Sequence, residues 1–115
     1  MIYPIQIDEL LARVSGNREF VIRMLELFFE SSDDRLTALQ TEFNTRNYAE
    51  VAEQAHKLKG LVGNLSINKA LPILKDLNTM AGKKNDPQIE RLLDQLKDSI
   101  AEARLFFKEN PSLKL

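Results

Sequence analysis

From Tyr48 to Leu65 the side chains Tyr48, Val51, Ala55, Leu58, Val62 and Leu65 recur at steps of three and four without a miss. Such spacing returns to one side of a 3.6-residue turn and excludes a strand, whose faces alternate at every residue. The segment has to be a helix that buries this stripe against something else. The same steps recur elsewhere. Val21, Leu25, Phe28, Leu36, Leu39 and Phe43 predict a long helix over residues 18–43, interrupted at Ser32. Ala70, Leu74, Leu77 and Ala81 predict another, and Ile89, Leu93, Leu96, Ile100, Ala103 and Phe107 a last one. No alternating strand segment, internal repeat or low-complexity linker breaks the pattern.

The punctuation agrees with this reading. Asp8 is placed to cap a short first helix, DELLARV, that stops at Ser15-Gly16. Asn17 is placed to cap the long one. Asn47 followed by Glu50 resembles a capping box before the Tyr48 stripe. Ser66-Ile67-Asn68 makes the next break, and Pro72 is tolerable because it falls near a first turn. Gly82 is the expected terminator before the polar loop Lys83-Lys84-Asn85. Asp86-Pro87 supplies a cap and a proline at the first helical position, and Asn110-Pro111 ends the chain's last helix. Four long amphipathic helices with short connections predict an all-α fold, an antiparallel up-and-down four-helix bundle with a short extra N-terminal helix across one end. At 115 residues, 1–115 reads as a single domain. Such a bundle by itself names no function.

Several function classes drop out. With no cysteine there is no disulfide, thiolate nucleophile or sulfur-ligated zinc, which suits a reducing, cytoplasmic setting. No run approaches the ~18 apolar residues of a membrane span. The start, MIYPIQIDEL, lacks the basic-then-apolar layout of a signal peptide. The net charge of −1, with both signs interspersed, and a pI of about 5.9 argue against nucleic acid as a partner. There is no glycine-rich phosphate loop for a nucleotide. A lone histidine makes neither a triad nor a good metal site, so no metal and no cofactor are expected. Asp33-Asp34 reads as a solvated helix face.

The stretch Glu53–Asn64, EQAHKLKGLVGN, stands apart. It holds the only histidine, His56, and two glycines that each cost a helix about 1 kcal/mol relative to alanine. At ~100° per residue His56 projects roughly 130° from the centre of the apolar stripe, toward solvent or the shoulder of the bundle. Lys59 and Gly60, three and four residues on, border it. A surface histidine without a role, and glycines serving helix packing, are the plain alternative. The glycines lie off the main stripe, however, and strip the wall from around the imidazole. Lys59 puts a cation where an anion on His56 would sit. Neutral imidazole is a good nucleophile toward phosphorus. The residues describe a histidine suited to carry a phosphoryl group.

AHKLKGLVGNLS resembles the signature of histidine-containing phosphotransfer (HPt) domains, in which A-H-x-L-K-G is followed by a small residue and Leu-Gly. ELLARVSGNREFVIRMLELFFE is similar to that family's first two helices, with Gly-Asn for the usual Gly-Asp, and LKDLN to the helix after the histidine. The likeness runs from about Ile7 to Ala103. It implies that His56 is the phosphoryl acceptor, that Lys59 offsets the phosphate charge and that Gly60 keeps the site accessible. Asn78 would orient the imidazole from the position of a carboxylate or carboxamide. Leu61 departs from a small residue, Ser66 from a glycine, and Asn78 from a glutamate. A neutral amide orients without raising basicity as a carboxylate would. The resemblance further implies a phosphocarrier and not an enzyme. Its partners would be response-regulator receiver domains, which supply the catalytic aspartate and Mg²⁺, and a hybrid sensor histidine kinase. The expected form is a cytoplasmic monomer in a multistep two-component phosphorelay. The alternative is a non-phosphorylated helical adaptor that binds receiver or kinase domains.

Overall fold

The computed structural model describes residues 3–113. The ends of the expected 1–115 domain, and the first two residues of MIYPIQIDEL, lie outside that range. Five helices follow in order: α1 (Ile7–Arg13), α2 (Arg18–Asn44), α3 (Tyr48–Asn64), α4 (Ala70–Gly82) and α5 (Asp86–Glu109). The protein is an all-helical bundle, with no strand among the described residues. The four longer helices close a ring of contacts, α2 on α3, α3 on α4, α4 on α5 and α5 on α2. The α3–α4 seam is the most extensive.

The stripes read from the sequence form the core. Val51, Ala55, Leu58, Val62 and Leu65 are buried, as are Ala70, Leu74, Leu77 and Ala81 from α4, with Val21, Leu25, Phe28, Leu39 and Phe43 from α2. Three expected core residues stop at its edge: Leu36, Tyr48 and Phe107 are only half-buried. Phe107 stacks on Phe29, with ring centroids 5.8 Å apart. Ser32, which breaks the α2 stripe, is buried all the same. Its hydroxyl donates to the Phe29 carbonyl and accepts from Arg104 of α5, which also reaches Asp33 at 3.0 Å. A polar residue on a buried stripe is tolerable when it is hydrogen-bonded, and here the partner comes from across the seam.

The caps correct the sequence reading in part. Asn17 and Asn47 cap α2 and α3, accepting from the N–H groups of Phe20 and Glu50. Glu50 closes no capping box, because the Asn47 N–H instead donates to Glu42 O. Asp8 does not cap α1, which begins one residue earlier at Ile7 with no side-chain cap. Asn85 and not Asp86 caps α5, accepting from the Gln88 N–H. Asp86 is thereby free to take the Tyr48 hydroxyl at 2.6 Å and Arg46 at 2.9 Å. That hydrogen bond, helped by partial desolvation, holds the Tyr48 phenol above its ordinary 10.0.

The ends of α2, α3 and α4 share one device. Arg46, Ser66 and Lys84 take positive φ of 58°, 55° and 53°. At each, paired bonds turn back onto the preceding helix, for example Ser66 N–H to Gly63 O and Ile67 N–H to Val62 O. This is the Schellman arrangement, usually built on glycine. Gly82, the expected terminator, is instead the last residue of α4. A left-handed non-glycine residue costs about 1 kcal/mol, and capturing otherwise orphaned helix-end carbonyls offsets it. Ser66 compensates further. Its carbonyl accepts from the Gln6 N–H at 2.9 Å and its hydroxyl donates to Glu9 at 3.2 Å, tying α1 to the α3–α4 connection.

Candidate functional site

α3 buries one side through Val51, Ala55, Leu58 and Val62, which turns His56 outward, and the imidazole is exposed as predicted. It borders a hollow of about 240 Å³ between α3 and α4, lined by His56 and Lys59 from α3 and by Leu74, Lys75, Asn78 and Thr79 from α4. Below it the two helices meet along buried stripes, Ala55, Leu58 and Val62 on α3 and Ala70, Leu74 and Leu77 on α4. Leu74 forms the apolar floor.

Gly60 is exposed, and a Cβ placed there would meet nothing within 4 Å. It makes no close helix contact of the kind that usually demands glycine. Gly63 differs. Its Cβ would sit 3.5 Å from Leu71 Cδ2 of α4, and its carbonyl accepts from Arg13 of α1 at 2.6 Å. One glycine bares the surface beside the imidazole, and the other lies against the seam.

Asn78 comes to the site from α4, but its amide donates to the Ala52 carbonyl at 2.9 Å. No hydrogen bond joins Asn78 to His56 among the described residues. In an α-helix the Ala52 carbonyl is also the acceptor of the His56 N–H, so Asn78 grips the backbone of the turn that carries the imidazole.

The charge around the hollow has one sign. Lys59 and Lys75 line it, no carboxylate does, and neither lysine has an ion pair among the described residues. Glu53, one turn before His56, is paired with Lys57 at 3.6 Å. Lys75 and Thr79 are absent from the residues singled out in the sequence. Lys75 stands three residues before Asn78 and four before Thr79, so it borders both on one side of α4, a spacing visible in the sequence once Asn78 is suspected. What the sequence withholds is that this face meets the histidine face of α3. Asp33 and Asp34 lie on α2 and do not line this hollow; both are exposed, and Asp33 pairs with Arg104. Among the described residues no group of three His, Cys, Asp or Glu side chains could hold a metal ion, and no helix is long and apolar enough to cross a membrane.

An exposed imidazole over a bare helical face, beside the unpaired Lys59, is the arrangement the resemblance implies, and a comparison with protein families decides the membership. The family model described as "Hpt domain" matches residues 23–105, from the first turns of α2 to near the end of α5. The chain belongs to the Hpt domain family. Comparisons with curated proteins and with solved structures return no match. Hpt domains are phosphocarriers of two-component phosphorelays, working with receiver domains and kinases. The matched span contains every residue that lines the hollow and leaves α1 outside.

Proposed function

We propose that this Hpt domain accepts a phosphoryl group on His56 from the aspartyl phosphate of one receiver domain and passes it to another. The unprotonated imidazole nitrogen attacks phosphorus; an N–P bond forms, the P–O bond to aspartate breaks, and the carboxylate leaves with the electron pair. The imidazole keeps the proton on its other nitrogen and becomes a phosphorylated imidazolium. The receiver contributes the aspartate and Mg²⁺. Lys59 offsets the charge of the transferred group, Gly60 keeps the approach open, and Asn78 orients the ring by fixing the turn beneath it. The observation that carries this reading is the exposed His56 beside Gly60, above a hollow whose charged lining residues, Lys59 and Lys75, are both cations.

The connections at 45–47 and 83–85 are too short for parallel neighbours, which supports an antiparallel up-and-down course for α2 to α5. One contiguous core likewise supports a single domain, and a cytoplasmic monomer is the form that the family resemblance favours. Exposure to phosphoramidate or to a phosphorylated receiver, followed by mass measurement at neutral pH, tests the reading. One phosphoryl group is expected, lost on acidification. A protein that binds receivers yet never takes up phosphate would be an adaptor instead.

A further inference from the structure

We infer that Lys75, reaching the hollow from α4, is a second cation for the phosphoryl group on His56, so that the phosphate is held from two helices at once. The inference rests on the proposed phosphorylation of His56 and adds a residue to that site. His56 and Lys59 share one helix, and their juxtaposition follows from spacing alone. Lys75 belongs to a different helix and meets them only because α4 packs on α3 beside that turn.

Three observations carry it. First, Lys75 lines the same hollow as His56 and Lys59, with Leu74 beneath and no carboxylate in the lining. Second, Lys75 makes no ion pair or side-chain hydrogen bond among the described residues, so its ammonium is uncommitted where it lines the hollow. Two ammonium groups that line one hollow with no anion between them would both be drawn to an arriving dianion. Third, Asn78 ties this part of α4 to the turn carrying His56 through the Ala52 carbonyl, which fixes Lys75 in register with the imidazole. Lys75 thereby favours the phosphorylated state over the free histidine, in addition to whatever Lys59 contributes. It touches the transferred group and not the imidazole.

The test charges the intact protein with phosphoramidate and follows phosphohistidine by ³¹P NMR across pH. A cation beside the phosphoryl oxygens favours their dianion. In Lys75→Gln the midpoint of the phosphoryl group's second ionisation should therefore rise by about half a pH unit, as an exposed ion pair of ordinary strength implies. Lys75→Arg should restore it. The transfer equilibrium with a phosphorylated receiver should move about two- to five-fold toward the receiver in Lys75→Gln, and added salt should shrink the difference. Lys57→Gln, on the outer face and paired with Glu53, should leave both readouts alone. A titration in Lys75→Gln that overlays the unmodified protein's overturns the role of Lys75 while His56 remains the acceptor. Failure of the unmodified protein to acquire any acid-labile phosphate removes the parent reading, and this one with it.

Discussion

Two seams of the bundle treat similar residues in opposite ways. Between α2 and α5 lies a hollow of about 520 Å³, more than twice the volume of the one beside His56. Its cations are already engaged: Arg104 holds Ser32 and Asp33, and Lys97 donates to Gln40 at 3.1 Å. Between α3 and α4 the hollow is smaller, yet Lys59 and Lys75 have no anionic partner there. The first seam uses charge to close two helices over a polar break in a stripe. The second leaves charge uncompensated next to the one imidazole. The proposed site is therefore the smaller hollow, distinguished by uncompensated charge beside the imidazole and not by size.

This contrast can be broken experimentally at either seam. The largest effect belongs to His56→Gln, which should abolish acid-labile phosphate while leaving the melting temperature unchanged, since the side chain is exposed. Stoichiometric label on that variant would move the acceptor elsewhere. Next comes Gly60→Gln, which should slow transfer from a receiver by about tenfold or more, because in-line approach tolerates little obstruction. The same variant should melt no lower, as the added side chain meets nothing and glycine is the poorer helix former. A stable Gly60→Gln protein that transfers at the normal rate would end the access explanation.

Arg104→Ala probes the other seam. It should cost about 1 kcal/mol in a denaturant melt, through the lost hydrogen bond to buried Ser32 more than through the exposed pair with Asp33. Phosphoryl uptake should not change, and a loss of uptake without unfolding would show that the two seams communicate. Lys59→Gln should do the reverse, shifting the transfer equilibrium about two- to five-fold toward the receiver with an unaltered melt. The smallest effect is that of Gly63→Ala. The new methyl would lie in ordinary contact with Leu71, so stability should rise by up to about 1 kcal/mol with transfer kinetics intact. A lower melting point would mean that the seam below the site has no room for it.

Much of the fold was legible in the sequence because helical periodicity is local. The Tyr48–Leu65 stripe identifies the buried side of α3, and that alone turns His56 outward and sets Lys59 and Gly60 beside it. The errors concern choices between near-equivalent neighbours. Asn85 and Asp86 are both good caps, and the register of α5 against Tyr48 and Arg46 decides between them. Gly82 carries the usual sign of a helix end, but the left-handed residue is Lys84, because the bonds back to Ala81 and Met80 fall two positions later. Phe107 keeps the period of its stripe and ends half-exposed, stacked on Phe29 at the bundle's rim.

By itself, then, the sequence determined most of what one helix can carry: the elements, the centre of each buried face, and the trio His56, Lys59 and Gly60 along about one turn. Only the tertiary structure decided what faces that trio. It brought Lys75 and Thr79 from α4 to the hollow beside the expected Asn78, directed the Asn78 amide to the Ala52 carbonyl, and gave buried Ser32 its partner in Arg104. The reason is physical. Neighbours three or four residues apart on a helix are set by its 3.6-residue turn, whereas neighbours across a seam depend on how the apolar stripes of both helices interlock, and no single stripe contains that register.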